Sequence, residues 1–218
     1  EKLSITWYTQ SGGIDTIKPL NEAVILTYSI PDHKIEMEFL PNDFTQVNFA
    51  LNQKMINLAI ELLELNGKDS VLDLFCGLGN FTLPISKYVE KIVGIEGDKG
   101  LVERAKANAD ANGITNASFY KADLSEDVSG SEWFRGQKYN KALIDPARTG
   151  AIEIVELLPK LNIERLVYVS CNPATLARDT ARLIELGFTL MSAGVMDMFP
   201  QTAHVESIAL FLLAKNEY

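Results

Sequence analysis

In three places of this 218-residue chain an apolar run breaks off at residues whose side chains or backbone can react or bind. "VYVSCNPATLARD" (167–179) leaves a β-branched run at Ser170-Cys171-Asn172-Pro173 and continues with helical spacing. "KALIDPARTG" (141–150) does the same at Asp145-Pro146-Ala147-Arg148, and "SVLDLFCGLGNF" (70–81) at Gly77-Leu78-Gly79. Cys171 has three readings: a small buried hydrophobe, a metal or redox group, or a nucleophile. The one other cysteine, Cys76, lies 95 positions away, so there is neither a Cys-x-x-Cys motif nor a disulfide framework. Two histidines, His33 and His204, are too few for most histidine zinc sites. A nucleophile must be a thiolate, so a thiol with an ordinary pKa of ~8.5 needs local help. The start of the helix after Asn172 can supply part of it.

Glycines on a strand-to-helix turn let a ligand approach the backbone, and ligands collect at the carboxyl ends of parallel strands. Gly77 and Gly79 also read as a plain tight turn, so further groups must decide. Glu96 ends the next strand, where a carboxylate can hold ribose hydroxyls. Asp123 ends the one after, where it can meet an adenine edge. A dinucleotide would want a third glycine where Thr82 stands. An adenosyl ligand without a pyrophosphate fits better, and S-adenosylmethionine is the leading candidate, with Cys76 as packing. Asp145 reads as a group projecting over the sheet edge or as a helix N-cap. Arg148 reads as a bidentate phosphate ligand or as the partner of a surface carboxylate.

The elements that must position these groups follow from hydrophobic periodicity. Strands are expected at 70–75, 91–96, 117–123, 141–146 and 165–171, with helices near 80–89, 98–112, 151–160 and 173–186. Before them, Leu3, Ile5 and Trp7 alternate, "AVILTYSI" (23–30) follows, and Ile35, Met37 and Phe39 alternate again. A helical pattern then runs from Asn48 to Asn66-Gly67. Strand–helix alternation with continuous apolar strands predicts an α/β, doubly wound, mostly parallel sheet. Two final strands, 188–198 and 204–214, have no helix between them and are expected to pair antiparallel. If the last strand lies against 165–171, Glu206 comes to the same edge as Cys171. A carboxylate beside an apolar cleft is a plausible general base, or else an exposed strand-start charge. His204 is a second polar contact or a structural histidine. A cofactor, a thiol and a base together suggest one chemistry. Carbon 5 of uracil is a poor nucleophile until a thiolate adds at carbon 6, after which it can take a methyl group and lose its proton to a base.

Composition bounds the rest. A chain of 24.2 kDa with 47% hydrophobic and 22% charged residues buries a full core as one ordinary domain with a small appendage. No apolar run approaches the ~20 residues that span a bilayer. A reducing cytoplasm is expected, with no obligate oligomer. Net charge −9 argues against a broad nucleic-acid-binding face but leaves room for a local basic cleft.

Six segments together resemble the RNA uracil-5 methyltransferases that use S-adenosylmethionine. They are "DFTQVN" (43–48), "VLDLFCGLGNFTLP" (71–84), "VGIEG" (93–97), "DPARTGA" (145–151), "YVSCNPATLARD" (168–179) and "MDMFPQTAHVES" (196–207). The wording is most similar to the 23S ribosomal RNA branch rather than the tRNA branch. The resemblance implies a Rossmann-like fold, Cys171 as nucleophile and Glu206 as base. It puts Gln46, Phe75, Asn80, Glu96, Asp123 and Asp145 on cofactor positions beside Gly77, with Asp145 also near the target base. Arg148 and His204 are expected to touch RNA, and no resident metal is expected. The ribosomal branch often has Asn where this chain has Asp123. Its full-length members carry an N-terminal RNA-binding barrel and a cysteine-bound iron–sulfur cluster, for which two cysteines leave no ligands here. Residues 1–41 are thus expected to be the β-rich end of a central domain and 42–218 the catalytic domain. RNA cytosine-5 methylation is disfavoured because the Asp145-Pro146-Ala147-Arg148 motif has no cysteine. Amino methylation is disfavoured because an Asn-Pro-Pro-aromatic motif is absent. A non-enzymatic S-adenosylmethionine- or RNA-binding module is the reading outside catalysis.

Overall fold

The computed structural model describes residues 8–12, 17–19, 25–202 and 204–214. Two small antiparallel pairs come first: β1 (Tyr8–Gln10) with β2 (Ile17–Pro19), and β3 (Leu26–Ile30) with β4 (Ile35–Phe39). Leu3, Ile5 and Trp7 lie outside the described residues. In β3 and β4 the period-two pattern is realised as expected. Tyr28, Ile30, Ile35 and Met37 are buried while Ser29 and Glu36 face solvent. The long helix α1 (Phe49–Leu63) is capped by Asn48, whose side chain accepts from Leu51 N at 3.3 Å. Its Met55, Ile56, Ala59 and Leu63 bury one stripe.

The remainder alternates: β5 (Ser70–Leu74), α2 (Thr82–Ser86), β6 (Lys91–Glu96), α3 (Lys99–Ala111), β7 (Ala117–Lys121), β8 (Lys141–Ile144), α4 (Ile152–Val155), β9 (Arg165–Ser170), α5 (Pro173–Glu185), β10 (Phe188–Met196) and β11 (Glu206–Leu213). Seven strands form one sheet in the order β10-β11-β9-β8-β5-β6-β7. Its central pairs are parallel, and β11 runs antiparallel to both β9 and β10. The last strand therefore enters the sheet between two earlier ones. The helix expected over 151–160 is broken instead into α4 and a 3-10 turn at Leu158–Leu161. Pro159 explains the break, because its ring excludes a continuous helix and its nitrogen donates no bond. Among the described residues no helix is long and apolar enough to cross a membrane.

Side chains alternate between the two faces of the sheet. Val71, Leu143, Val167 and Val169 join a core under α1, α2, α3 and the β3–β4 pair. Leu72, Leu74, Ala142, Ile144, Leu166 and Tyr168 join the other, under α4 and α5. The β3–β4 pair is tied to α3 by two asparagines. Asn108 accepts from Glu38 N at 2.8 Å and donates to Glu38 O at 3.1 Å. Asn112 repeats this on Glu36, at 3.0 and 2.7 Å. Four helical residues rise about 6 Å and two strand residues about 6.6 Å, so the amides keep step with the strand edge as a neighbouring strand would.

Candidate active site

At the end of β5 the chain turns sharply: Phe75, Gly77 and Gly79 all have positive φ, at 64°, 55° and 92°. For a phenylalanine that conformation is unusual and is held by its surroundings. Gly77 faces open space, whereas a Cβ on Gly79 would lie 2.3 Å from Leu83 Cδ1. Glu96, at the end of β6, organises this turn. Its carboxylate accepts from Gly77 N at 3.0 Å, from Gly97 N at 2.7 Å and from Asp98 N at 3.0 Å. Under the turn lies Asp73, wholly buried, bonded through one oxygen to Thr82 Oγ1 at 2.5 Å and without a partner for Oδ1. Burial, opposed by the Thr82 bond and assisted by the charge of Glu96, pushes its carboxyl up to about 7.

The turn opens on a cavity of about 600 Å³ that also reaches the ends of β8, β9 and β11. Gln46, Phe75, Gly77, Asn80 and Glu96 line one part of it, and Asp145, Arg148, Cys171, His204 and Glu206 the other. Asp123 is not among the lining residues. It is exposed, and its carboxylate is turned to Ser125, accepting from N at 3.0 Å and from Oγ at 2.6 Å. Asn80 lines the cavity with its amide already engaged. It exchanges two bonds with Asn52, at 2.9 and 3.0 Å, and accepts from the Tyr28 hydroxyl at 3.2 Å. Gln46 is the reverse case, since its buried Oε1 has no partner.

Sheet register explains the reacting side. Ser207 pairs with Ser170, so Glu206 comes opposite the end of β9 where Cys171 leaves the sheet. Glu206 is buried, and burial raises its carboxyl above the ordinary range. Burial, then the charges of Glu206 and Asp73, push Asp145 up to about 8. Cys171 is half-buried. Burial, then Glu206 and Asp145, raise its thiol, and Arg148 opposes them. The help expected from the start of α5 is therefore outweighed by burial and two carboxylates, and the resting group is the thiol. Arg148 is itself engaged, donating from Nη2 to His204 Nδ1 at 2.5 Å. Phe199 packs edge-on to the same imidazole, with ring centroids 6.3 Å apart.

Several lining residues carry no chemical signal in the sequence. Tyr28 arrives from β3, Phe44 and Thr45 from the segment before α1, and Leu101 from α3. Phe44 is 75% exposed at the cavity. Three carboxylates, Glu96, Asp145 and Glu206, face a single guanidinium, Arg148, across walls that are otherwise largely apolar. Such a cavity suits a ligand with positive charge on an apolar body.

The sequence profile described as tRNA (Uracil-5-)-methyltransferase matches residues 15–215. A 23S rRNA (uracil(1939)-C(5))-methyltransferase RlmD of Vesicomyosocius okutanii subsp. Calyptogena okutanii is 70% identical over 212 residues, 97% of this chain and 48% of that protein. The protein of that name from Xanthomonas axonopodis pv. citri is 55% identical over 206 residues, 94% of this chain and 46% of its own length. This chain thus spans about half the length of these relatives. Among solved structures, the Pyrococcus abyssi tRNA (uracil-54, C5)-methyltransferase in complex with S-adenosyl-L-homocysteine superposes with a TM-score of 0.77 at 24% identity. It covers 95% of this chain and 50% of that one.

Proposed function

Because the chain belongs to the tRNA (uracil-5-)-methyltransferase family and has the Rossmann-like fold of S-adenosylmethionine-dependent methyltransferases, we propose that it transfers a methyl group to carbon 5 of a uridine in RNA. The observation that carries this reading is the meeting of Cys171, Glu206 and Asp145 in one cavity with the glycine turn of β5. The two relatives at 70% and 55% identity, both named for 23S rRNA, favour ribosomal RNA as the substrate class.

The cavity's residues fit the cofactor. S-adenosylmethionine, when bound, supplies an electrophilic methyl group on a cationic sulfur. Glu96 is the carboxylate available to ribose hydroxyls, Gly77 leaves the backbone approachable, and Gln46 has an unused acceptor. Asn80 and Phe75 complete that side, and Asp123 contributes to adenine recognition after leaving Ser125. The catalytic unit is 42–218, to which the preceding β-rich segment lends Tyr28.

On the substrate side, the Cys171 thiol gives its proton to solvent, Sγ bonds to carbon 6 of the uracil, and the electron pair of the 5,6 double bond makes carbon 5 nucleophilic. Carbon 5 then takes the methyl group. Glu206 removes the carbon-5 proton, the Sγ–C6 bond breaks, and the double bond returns. Asp145 orients the polar edge of the ring, while Arg148 and His204 hold the RNA at the mouth.

The test is methyl transfer from labelled S-adenosylmethionine to ribosomal RNA fragments, together with trapping by RNA that carries 5-fluorouridine. Wild-type protein is expected to transfer label and to form a stable covalent adduct with the fluorinated RNA. Cys171→Ala is expected to do neither. Glu206→Gln is expected to slow turnover by about 10²–10⁴-fold while methylated adduct accumulates. Transfer retained in Cys171→Ala would sink the nucleophile assignment.

A further inference from the structure

Asp145 and Cys171 stand at the ends of neighbouring parallel strands, and their relative position needs a cause. The hydrogen-bonded register of β8 with β9 stops at Ile144↔Tyr168. Past that pair, Asp145 N still donates to Leu74 O of β5 at 3.2 Å, but no β8–β9 pairing sets residues 146–151 against 169–172. Something else does, and it is α5. Residues 172, 175, 178 and 179 lie on one stripe of its N-terminal turns, at helical spacing. From that stripe, Asn172 Nδ2 donates to Arg148 O at 3.0 Å and Thr175 Oγ1 reaches the same oxygen at 3.2 Å. Arg178 Nη2 donates to Thr149 O at 2.9 Å, and Ala151 N donates to Asp179 Oδ2 at 2.8 Å.

Between these held residues lies Gly150, with φ at +78°. A Cβ there would stand 2.6 Å from both Arg178 Nη2 and Asp179 Oδ2. The loop backbone is thus seated directly against the helix. The carboxylate at the centre, Asp179, is wholly buried. A buried carboxylate is costly unless its oxygens are bonded. This one also accepts from Tyr168 OH at 2.7 Å and from Arg178 Nε at 2.8 Å. Tyr168 is the last residue in the β8–β9 register, so Asp179 takes over where the sheet leaves off.

We propose that Asp179 is a positioning residue: it carries the β8–β9 register past the sheet and seats the segment bearing Asp145 and Arg148 against Cys171. Asp179 does not itself meet the substrate. The proposal rests on the methyl-transfer reading above, because only a ring addressed from both strand ends needs this alignment.

Three variants test it: Asp179→Asn, Gly150→Ala, and the milder Thr175→Val, which removes one hydroxyl bonded to Arg148 O and to Asn172 O. The first readout is the rate of adduct formation with 5-fluorouridine RNA at saturating S-adenosylmethionine, alongside cofactor affinity. Asp179→Asn and Gly150→Ala are expected to slow adduct formation by about 100-fold, as for an ångström-scale misplacement, with cofactor affinity unchanged. Thr175→Val is expected to slow it to a smaller degree. The second readout needs no RNA: the pH profile of iodoacetamide alkylation of Cys171, with buried Cys76 as the unreactive control. Loosening the clamp frees Arg148 and Asp145, whose charges act on the thiol in opposite directions, so the alkylation midpoint should be displaced from the wild-type value. Folded variants that form adduct at the wild-type rate overturn the proposal. If wild-type protein forms no adduct, the methyl-transfer reading fails and the alkylation profile alone decides. An unchanged midpoint in Thr175→Val and Asp179→Asn then overturns the clamp, and a displaced one upholds it. Should Asp179→Asn and Gly150→Ala fail to fold, Thr175→Val is judged by the same two outcomes.

Discussion

At Cys171 the thiol has a carboxylate on two sides, Glu206 from β11 and Asp145 from the end of β8, with Arg148 as the one opposing charge. Burial and then these carboxylates should hold its titration above the ordinary thiol range, and each charged neighbour should move it in its own direction. Glu206→Gln is expected to lower the midpoint of alkylation and Arg148→Ala to raise it. A displacement of one pKa unit changes the thiolate fraction about tenfold. A profile insensitive to both variants would contradict the charge environment described for the site. Cys171 and Glu206 were legible as a pair because strand ends and antiparallel order can be read from apolar runs and the missing helix. Phe75 was legible only through family resemblance, since its left-handed backbone is imposed by the turn rather than by its side chain. Tyr28 had no signal at all. It meets Asn80 across 52 positions, in a contact that neither periodicity nor spacing encodes.

Among the elements, the β3–β4 pair depends on α3 in a way that hydrophobic pattern does not disclose. Asn108 and Asn112 look like polar positions of an amphipathic helix, yet both serve the backbone of β4. Asn108 is almost wholly buried, so truncating it leaves the N–H and C=O of Glu38 without partners. Asn108→Ala is expected to cost about 1–3 kcal/mol in denaturant unfolding. It should also weaken cofactor binding, because Tyr28 on the adjoining strand lines the cavity. A variant with wild-type stability would show that solvent replaces the amide freely. From residue 70 onward, the expected strands appear within about two residues of their predicted ends. The segment at 151–160 departs from expectation because apolar spacing continues through Pro159 while the backbone cannot.

Over the whole molecule, part of the acidic excess is held in raised carboxyls at this cavity and beneath it: Asp145 and Glu206 line it, and Asp73 lies buried under the β5 turn. Asp73 titrates at about 7 and Asp145 at about 8, against an ordinary 3.8. The folded chain thus keeps protons that the unfolded chain has released. Their favourable contribution is full below about pH 4 and is lost as pH rises to about 8. Asp145→Asn cannot ionise, so its melting temperature should match wild type near pH 4 and exceed it at pH 8. A gap of a few degrees is expected, each kcal/mol being worth roughly 2–4 °C in a domain of this size. Equal melting at both pH values would mean that Asp145 is ionised without penalty. Net charge alone did not foretell this, because it records how many carboxylates exist and not which of them share a cavity.

The position of β11 has a consequence for the order of synthesis. It lies between β9 and β10, both of which precede it in the chain. Until residues 206–213 leave the ribosome, each of those strands presents an unpaired edge. Through that interval the growing polypeptide carries Cys171 without Glu206 beside it. Closing the sheet and bringing Glu206 beside Cys171 are one event, so under the proposed mechanism a nascent or misclosed chain would hold the nucleophile without its base.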